Sequence, residues 1–246
     1  MYQKKVIKPP FFEIGPKSDL YGSQILDLAR IADEASRRHR VQVIFTTPFP
    51  DIRMVAQATQ DLIVFAPHMD PIRPGRGLAD ILPESVREAG ADGVMLNHTE
   101  KPITYVTLYQ TMKRVNELNM LSLIITDSVL EAKAAALLSP DIITAEPAEL
   151  IATGQASDMT YVKTSIEAIH SVNPDIYVLI GAGIKTGQDV YNVICEGADA
   201  SGSSSAIALA ENPEALVNEM LAAAREAWDE HCAAGRMLRC ARIRSA

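Results

Sequence analysis

Residues 121–136 read LSLIITDSVLEAKAAA, and this stretch contains one full structural period of the chain. Its first six residues are nearly all apolar and rich in branched side chains. A strand buried on both faces looks like this, whereas a half-solvated strand alternates. Asp127-Ser128 ends the run, and Glu131 follows Ser128 by three positions, the spacing of a helix-capping box. Working outward, comparable runs occupy 6–14, 41–46, 62–66, 93–97, 142–145 and 177–180, with a weaker one near 198–201. Helical patterns lie between them. In 23–39, Ile25, Leu28, Ala29, Ala32 and Ala35 fall on one face, and Thr186-Gly187-Gln188-Asp189 leads into VYNVICEG, whose Gly197 stops the helix. Eight strand–helix alternations with no break in composition predict one parallel α/β unit. An open, doubly wound sheet would show the same alternation. The count of eight favours a closed (β/α)8 barrel, and the 246 residues match the roughly 250 that such a barrel takes. The repeat is lost from about Asp229, so a barrel over 1–228 and a C-terminal extension over 229–246 are expected.

Bulk composition narrows the function. The net charge of −8 is spread along the chain, which argues against a basic nucleic-acid-binding face. Arg236, Arg239, Arg242 and Arg244 cluster only in the tail, where a solvated, frayed end is the simple reading. Cys195, Cys232 and Cys240 form neither a CxxC pair nor an even framework, which suggests a reducing cytoplasm. The start, MYQKKVIKPPFF, lacks the apolar core of a secretory signal. No run approaches the roughly 20 apolar residues of a membrane span. A soluble, cytoplasmic protein without nucleic-acid or membrane partners is expected. His39, His68, His98, His170 and His231 are scattered, with no metal-ligand spacing, and no GxGxxG follows the first strand. Neither a metal nor another cofactor is therefore expected.

In a parallel barrel, functional groups gather where strands end. Those positions hold Lys17 after the first strand, His98 and Glu100 after the fourth, and Glu146 after the sixth. Gly181–Gly183 and Gly202–Ser205 follow the seventh and eighth. A partly desolvated Glu146 suits a general base, although a carboxylate there could also cap the next turn. His98 could donate to a carbonyl as a neutral imidazole, act as a base, or be structural. Glu100 is placed to pair with a cation across the mouth, and Lys17 could be that cation. Two consecutive turns rich in glycine and serine suit a phosphate held by backbone N–H groups.

The segments LNHTE, AEPAELIATG, GAGIKTG and GSSSAIALAENP, together with FTTPFPDIRMVAQ, resemble the short, archaeal-type triose-phosphate isomerases and their bacterial relatives. The resemblance runs from about residue 6 to residue 223 and implies a TIM barrel that isomerises a short sugar phosphate. It implies His98 as the group that polarises the substrate carbonyl, Glu146 as the base, and Lys17 as the cation that balances charge developing on oxygen. It places Ile151, Gly183, Ser204 and Ser205 at the phosphate, and it suggests a homo-oligomer, a tetramer first and a dimer second. A neutral histidine paired with a glutamate base is the established pattern for triose-phosphate isomerase.

The chain also departs from the family. The family's first-strand Asn-x-Lys reads Gly15-Pro16-Lys17 here, so a substrate-binding amide is missing at Gly15. Losing an oxyanion donor costs about 10² to 10³ in turnover. The expectation is therefore aldose–ketose isomerisation, with interconversion of glyceraldehyde 3-phosphate and dihydroxyacetone phosphate the best guess. A four-carbon or branched sugar phosphate, entering space opened at Gly15, is the alternative. A weakly catalytic paralogue that binds a phosphorylated metabolite is another, although a pure binder needs no base. An aldolase would want a lysine inside a later strand, and no strand after the first has one.

Overall fold

The structure is a computed structural model that describes residues 2–146 and 159–234. Eight parallel strands close into a barrel in chain order: β1 (Phe11–Ile14), β2 (Gln42–Thr46), β3 (Ile63–Ala66), β4 (Gly93–Leu96), β5 (Leu121–Thr126), β6 (Ile142–Ala145), β7 (Tyr177–Ile180) and β8 (Ala200–Ser203). The helices form the outer ring: α1 (Ser23–His39), α2 (Ile52–Ala58), α3 (Pro83–Ala89), α4 (Tyr105–Glu117), α5 (Val129–Ala136), α6 (Met159–Val172), α7 (Gly187–Cys195), the short α8 (Ser205–Ala208) and α9 (Pro213–Ala233). The chain is a (β/α)8 TIM barrel.

The period read at 121–136 folds as expected. All six residues of β5 are buried. Ser128 caps α5 by accepting from the Glu131 N–H, and the Glu131 side chain accepts from the Asp127 N–H. A full capping box starts α7 at Thr186 and Asp189, and Gly197 follows that helix at φ 108°, in the left-handed region open to glycine. Two strands differ from their sequence reading. β1 begins only at Phe11, because Pro9 and Pro10 have no N–H to give a ladder. β8 lies two residues later than expected, since ASGS is too small and polar to stand out by hydropathy.

Alternation along the strands sorts side chains between two cores. Phe12, Ile14, Val43, Phe45 and Val64 pack outward against the helices. Phe11, Ile44, Ile63, Phe65, Met95, Leu121, Leu123, Ile142 and Leu179 fill the barrel. The filling is tight: a Cβ on Gly93 would lie 2.3 Å from the Phe65 ring, so the glycine makes room for the phenylalanine. The same alternation turns Glu13 inward, one layer above Phe11. It sits in register with Ile44 on one side and Gly202 on the other.

Candidate active site

At the C-terminal mouth the strands surround a cavity of about 620 Å³. Its walls include Lys17, His98, Glu100, Glu146, Gly183, Ser204 and Ser205, so all the strand-end candidates within the described residues come together. Ile151 lies outside the described residues. Gly15 borders an adjoining cavity of about 350 Å³, which shares Glu13, Lys17, His98 and Glu100 with the first.

The β4 loop is held by Asn97, in the left-handed region at φ 60°. Its amide donates to the Ile125 carbonyl at 3.0 Å and to Glu131 Oε1 at 2.9 Å, and its oxygen accepts from the Ile103 N–H. Next to it, His98 Nδ1 accepts the Glu100 backbone N–H at 3.1 Å. A ring nitrogen that accepts an N–H carries no proton, so in the neutral imidazole the proton sits on Nε2. Burial, and then the Lys17 ammonium, lower the His98 pKa, while Glu100 works weakly against them. His98 is therefore a neutral donor through Nε2–H.

Lys17 Nζ donates to Glu100 Oε1 at 2.7 Å, as the sequence reading anticipated. That bond is the main cause holding the Glu100 carboxyl below its usual range. Lys17 adopts φ 53°, a conformation costing a lysine about 1 kcal/mol or more and typical of functional positions.

Glu146 follows β6, its N–H bonded to the Thr126 carbonyl at 2.8 Å. Burial raises its pKa to about 7, although the Lys17 charge and a hydrogen bond from the Gly181 backbone pull the other way. Such a carboxyl is poised to take up and release a proton near neutrality. A Cβ on Gly181 would stand 2.5 Å from Glu146 Oε1, so the bare glycine makes space for the carboxyl.

The turns after β7 and β8 line the cavity between the strands of Glu146 and Lys17. Gly183 takes φ 76°, and Ser203 Oγ donates to the Ile184 carbonyl at 3.0 Å, tying the two turns together. Lys185, not singled out from the sequence, also borders the cavity. Arg73 instead pairs with Glu117 at 2.6 Å, on α4. Cys195 is a free thiol and Cys232 is disulfide-bonded.

The residue that strand-end reading missed is Glu13, inside β1. It is 6% exposed and accepts Thr46 Oγ1 at 2.6 Å. The signal was a lone carboxylate in the apolar strand FFEI, at an inward position. Its carboxyl also corrects the reading of Gly15. A Cβ there would meet Glu13 Oε1 at 2.7 Å, so the carboxyl takes the place of the first atom of a side chain at Gly15.

A base, a neutral imidazole and a cation beside two small-residue turns at the mouth of a closed barrel define a (β/α)8 enzyme built for proton transfer on a small anionic molecule. The sequence profile of the triosephosphate isomerase family matches residues 20–135 and 113–220. A triosephosphate isomerase of Sulfurisphaera tokodaii is 32% identical over 227 residues, covering 91% of this chain and 99% of that protein. One from Methanothermus fervidus is 34% identical, covering 81% and 91%, and one from Saccharolobus solfataricus is 32% identical, covering 90% and 99%. The chain belongs to the triosephosphate isomerase family.

Proposed function

We propose that this chain interconverts glyceraldehyde 3-phosphate and dihydroxyacetone phosphate, with Glu146, His98 and Lys17 as its working groups. Glu146 takes a proton from one carbon and returns it to the neighbouring carbon. His98 Nε2–H donates to the carbonyl oxygen, and Lys17 balances the charge of the enediolate. Gly183, Ser204 and Ser205 hold the phosphate, with Ile151 from the β6 loop. The observation that carries this reading is the tautomer of His98, fixed by the Glu100 N–H, in one cavity with a carboxyl whose pKa lies near 7. The protein works as a homo-oligomer, a tetramer before a dimer, in the cytoplasm. Support for assembly comes from exposed Tyr105, Val106 and Tyr109 on α4 beside exposed Leu130 on α5. Among the described residues no helix is long and apolar enough to cross a membrane.

The direct test follows both triose phosphates in heavy water. Isomerisation should proceed with solvent deuterium entering the product carbon, because the proton rests on Glu146 between its two positions. Absence of both turnover and exchange would overturn the reading. His98→Gln keeps a donor but not its geometry, and kcat should fall about 10²-fold with KM little changed. Turnover equal to the parent would return His98 to a structural role.

Gly181→Ala tests the placement of the base from the other side. The new methyl would need the carboxyl to retreat by about 1 Å, and misplacement on that scale costs about 10²-fold. The melting temperature should barely move, since only a carboxyl tip is displaced. A variant with full activity would mean that the carboxyl tolerates several positions.

A further inference from the structure

The proton transfer above uses one carboxyl, yet besides the exposed Asp19 and Glu100 the same cavity contains a second, deeply buried one. Glu13 enters from β1 and Glu146 from the end of β6. Glu13 Oε1 occupies the place where a side chain on Gly15 would project, 2.7 Å from that Cβ position, and it is bonded to Thr46. Oε2 is 3.3 Å from the Cβ position of Gly202, and Glu146 Oε1 is 2.5 Å from that of Gly181. The Gly181 Cβ position is in turn 3.5 Å from the Gly202 carbonyl. Two bare glycines at the ends of neighbouring strands are thus what lies along this wall between the carboxyls.

Two desolvated carboxyls at one mouth do not both ionise readily. Glu146 accepts a backbone N–H from Gly181 and is the more exposed of the two, which favours charge there. Glu13 is the more deeply buried, and its recorded donor is a hydroxyl. With Oε1 taken by Thr46, the proton of Glu13 belongs on Oε2.

We propose that Glu13 is a further catalytic residue of this isomerase: as a neutral acid it donates a hydrogen bond from Oε2 to the substrate oxygen on the β1 side, while Glu146 carries the negative charge of the pair. The inference rests on the isomerase reading above. Glu13 keeps its proton throughout, and the proton that moves between the carbons travels by way of Glu146. Burial raises Glu13 to about 7, opposed by Thr46 and helped by the charge of Glu146. Lys17, Asp19, His98, Glu100 and Glu146 face it across the two cavities, with Lys101 and Lys185 at the rims. His98 and Glu100 are both held low, which moves their titrations away from the window in which the pair changes.

The test is kcat/KM for glyceraldehyde 3-phosphate against pH, in the full chain. The parent should give a bell, rising as the first proton leaves the pair and falling as the second does. Glu13→Gln retains a donor of the same shape, so most of the activity at neutral pH should remain while the falling limb disappears. Glu13→Leu should lose about 10²-fold or more in kcat. A falling limb unchanged in Glu13→Gln, or parental turnover by Glu13→Leu, overturns the proposal. A purely structural role would lower the melting temperature of Glu13→Leu and leave the Glu13→Gln profile a bell. Carbon-13 NMR of carboxyl-labelled glutamate, with Glu13 assigned by its loss in Glu13→Gln, reads the proton without turnover. Ionisation of Glu13 in the ordinary carboxylate range overturns the proposal. A parent inactive on both triose phosphates, with Glu13 protonated at neutral pH, would refute the isomerase reading and not the charge state of the pair.

Discussion

Glu146→Gln should be nearly inactive, with kcat lower by about 10³- to 10⁴-fold, while the fold is kept. The substitution preserves the shape that fits over Gly181 and removes only the ability to accept a proton. KM and the affinity for a phosphorylated competitive inhibitor should change little, because the turns after β7 and β8, the proposed phosphate site, are untouched. Stability gives a second readout whose sign follows from the raised pKa. A buried carboxyl titrating near 7 instead of 4.5 is stabilising in its protonated form. That contribution is complete below pH 4.5 and is lost as pH rises through about 7, when a charge must be held in a desolvated place. Glu146→Gln never takes that charge. Its melting temperature should therefore match the parent at acid pH and exceed it above pH 7. Parental turnover in this variant would remove Glu146 from the chemistry, and a stability difference that grows towards acid would contradict the burial argument.

How much of this site can be read from sequence depends on where each residue stands in the barrel. Lys17, His98, Glu100 and Glu146 lie just past strand ends, and the rule that barrel function collects there finds them without knowledge of register. The Lys17–Glu100 pair was also legible, because opposite charges on loops facing one mouth have few other partners. Glu13 was not, since its meaning depends on the phase of β1. The prolines at 9 and 10 shift the start of that strand, and only the observed start fixes Phe11 and Glu13 as inward-facing. The same gap misjudged Gly15. Read as a lost asparagine, it implied vacant space, whereas the carboxyl two residues earlier takes the place of a side chain's first atom. For the fold, branched strands such as β5 announce themselves. β8, built of ASGS, is marked only by its neighbours, because the barrel closes there on small side chains that admit Glu13. For the four-carbon alternative, the room for a larger sugar is the adjoining cavity of about 350 Å³, which Gly15 itself borders.

Lys17→Met is expected to have the second largest effect, about a 10³-fold loss in kcat/KM, with little change in stability. The Lys17 and Glu100 side chains are 31% and 65% exposed, and an ion pair so open to water contributes about 0–1 kcal/mol to folding. The pair is therefore not kept for the fold. In the mouth, by contrast, the ammonium acts on four titrating groups at once. It lowers Glu146 and Glu13, it lowers His98, and it lowers Glu100. Removing it lets all four rise. Glu146 then becomes a usable base only at higher pH, so the rising limb of the activity profile should move towards alkali. His98 moves back towards its ordinary range and is protonated over part of the acid side, where an imidazolium replaces the neutral donor. Both changes depress activity most at low pH, and the variant should recover part of its deficit as pH increases. The enediolate still lacks its cation at any pH, so the recovery stops well short of the parent. A uniform loss across the whole range would mean that Lys17 only binds substrate and does not tune its neighbours. Parental activity at neutral pH would show that charge balance in this mouth comes from elsewhere, with Lys185, after β7, the next cation to test.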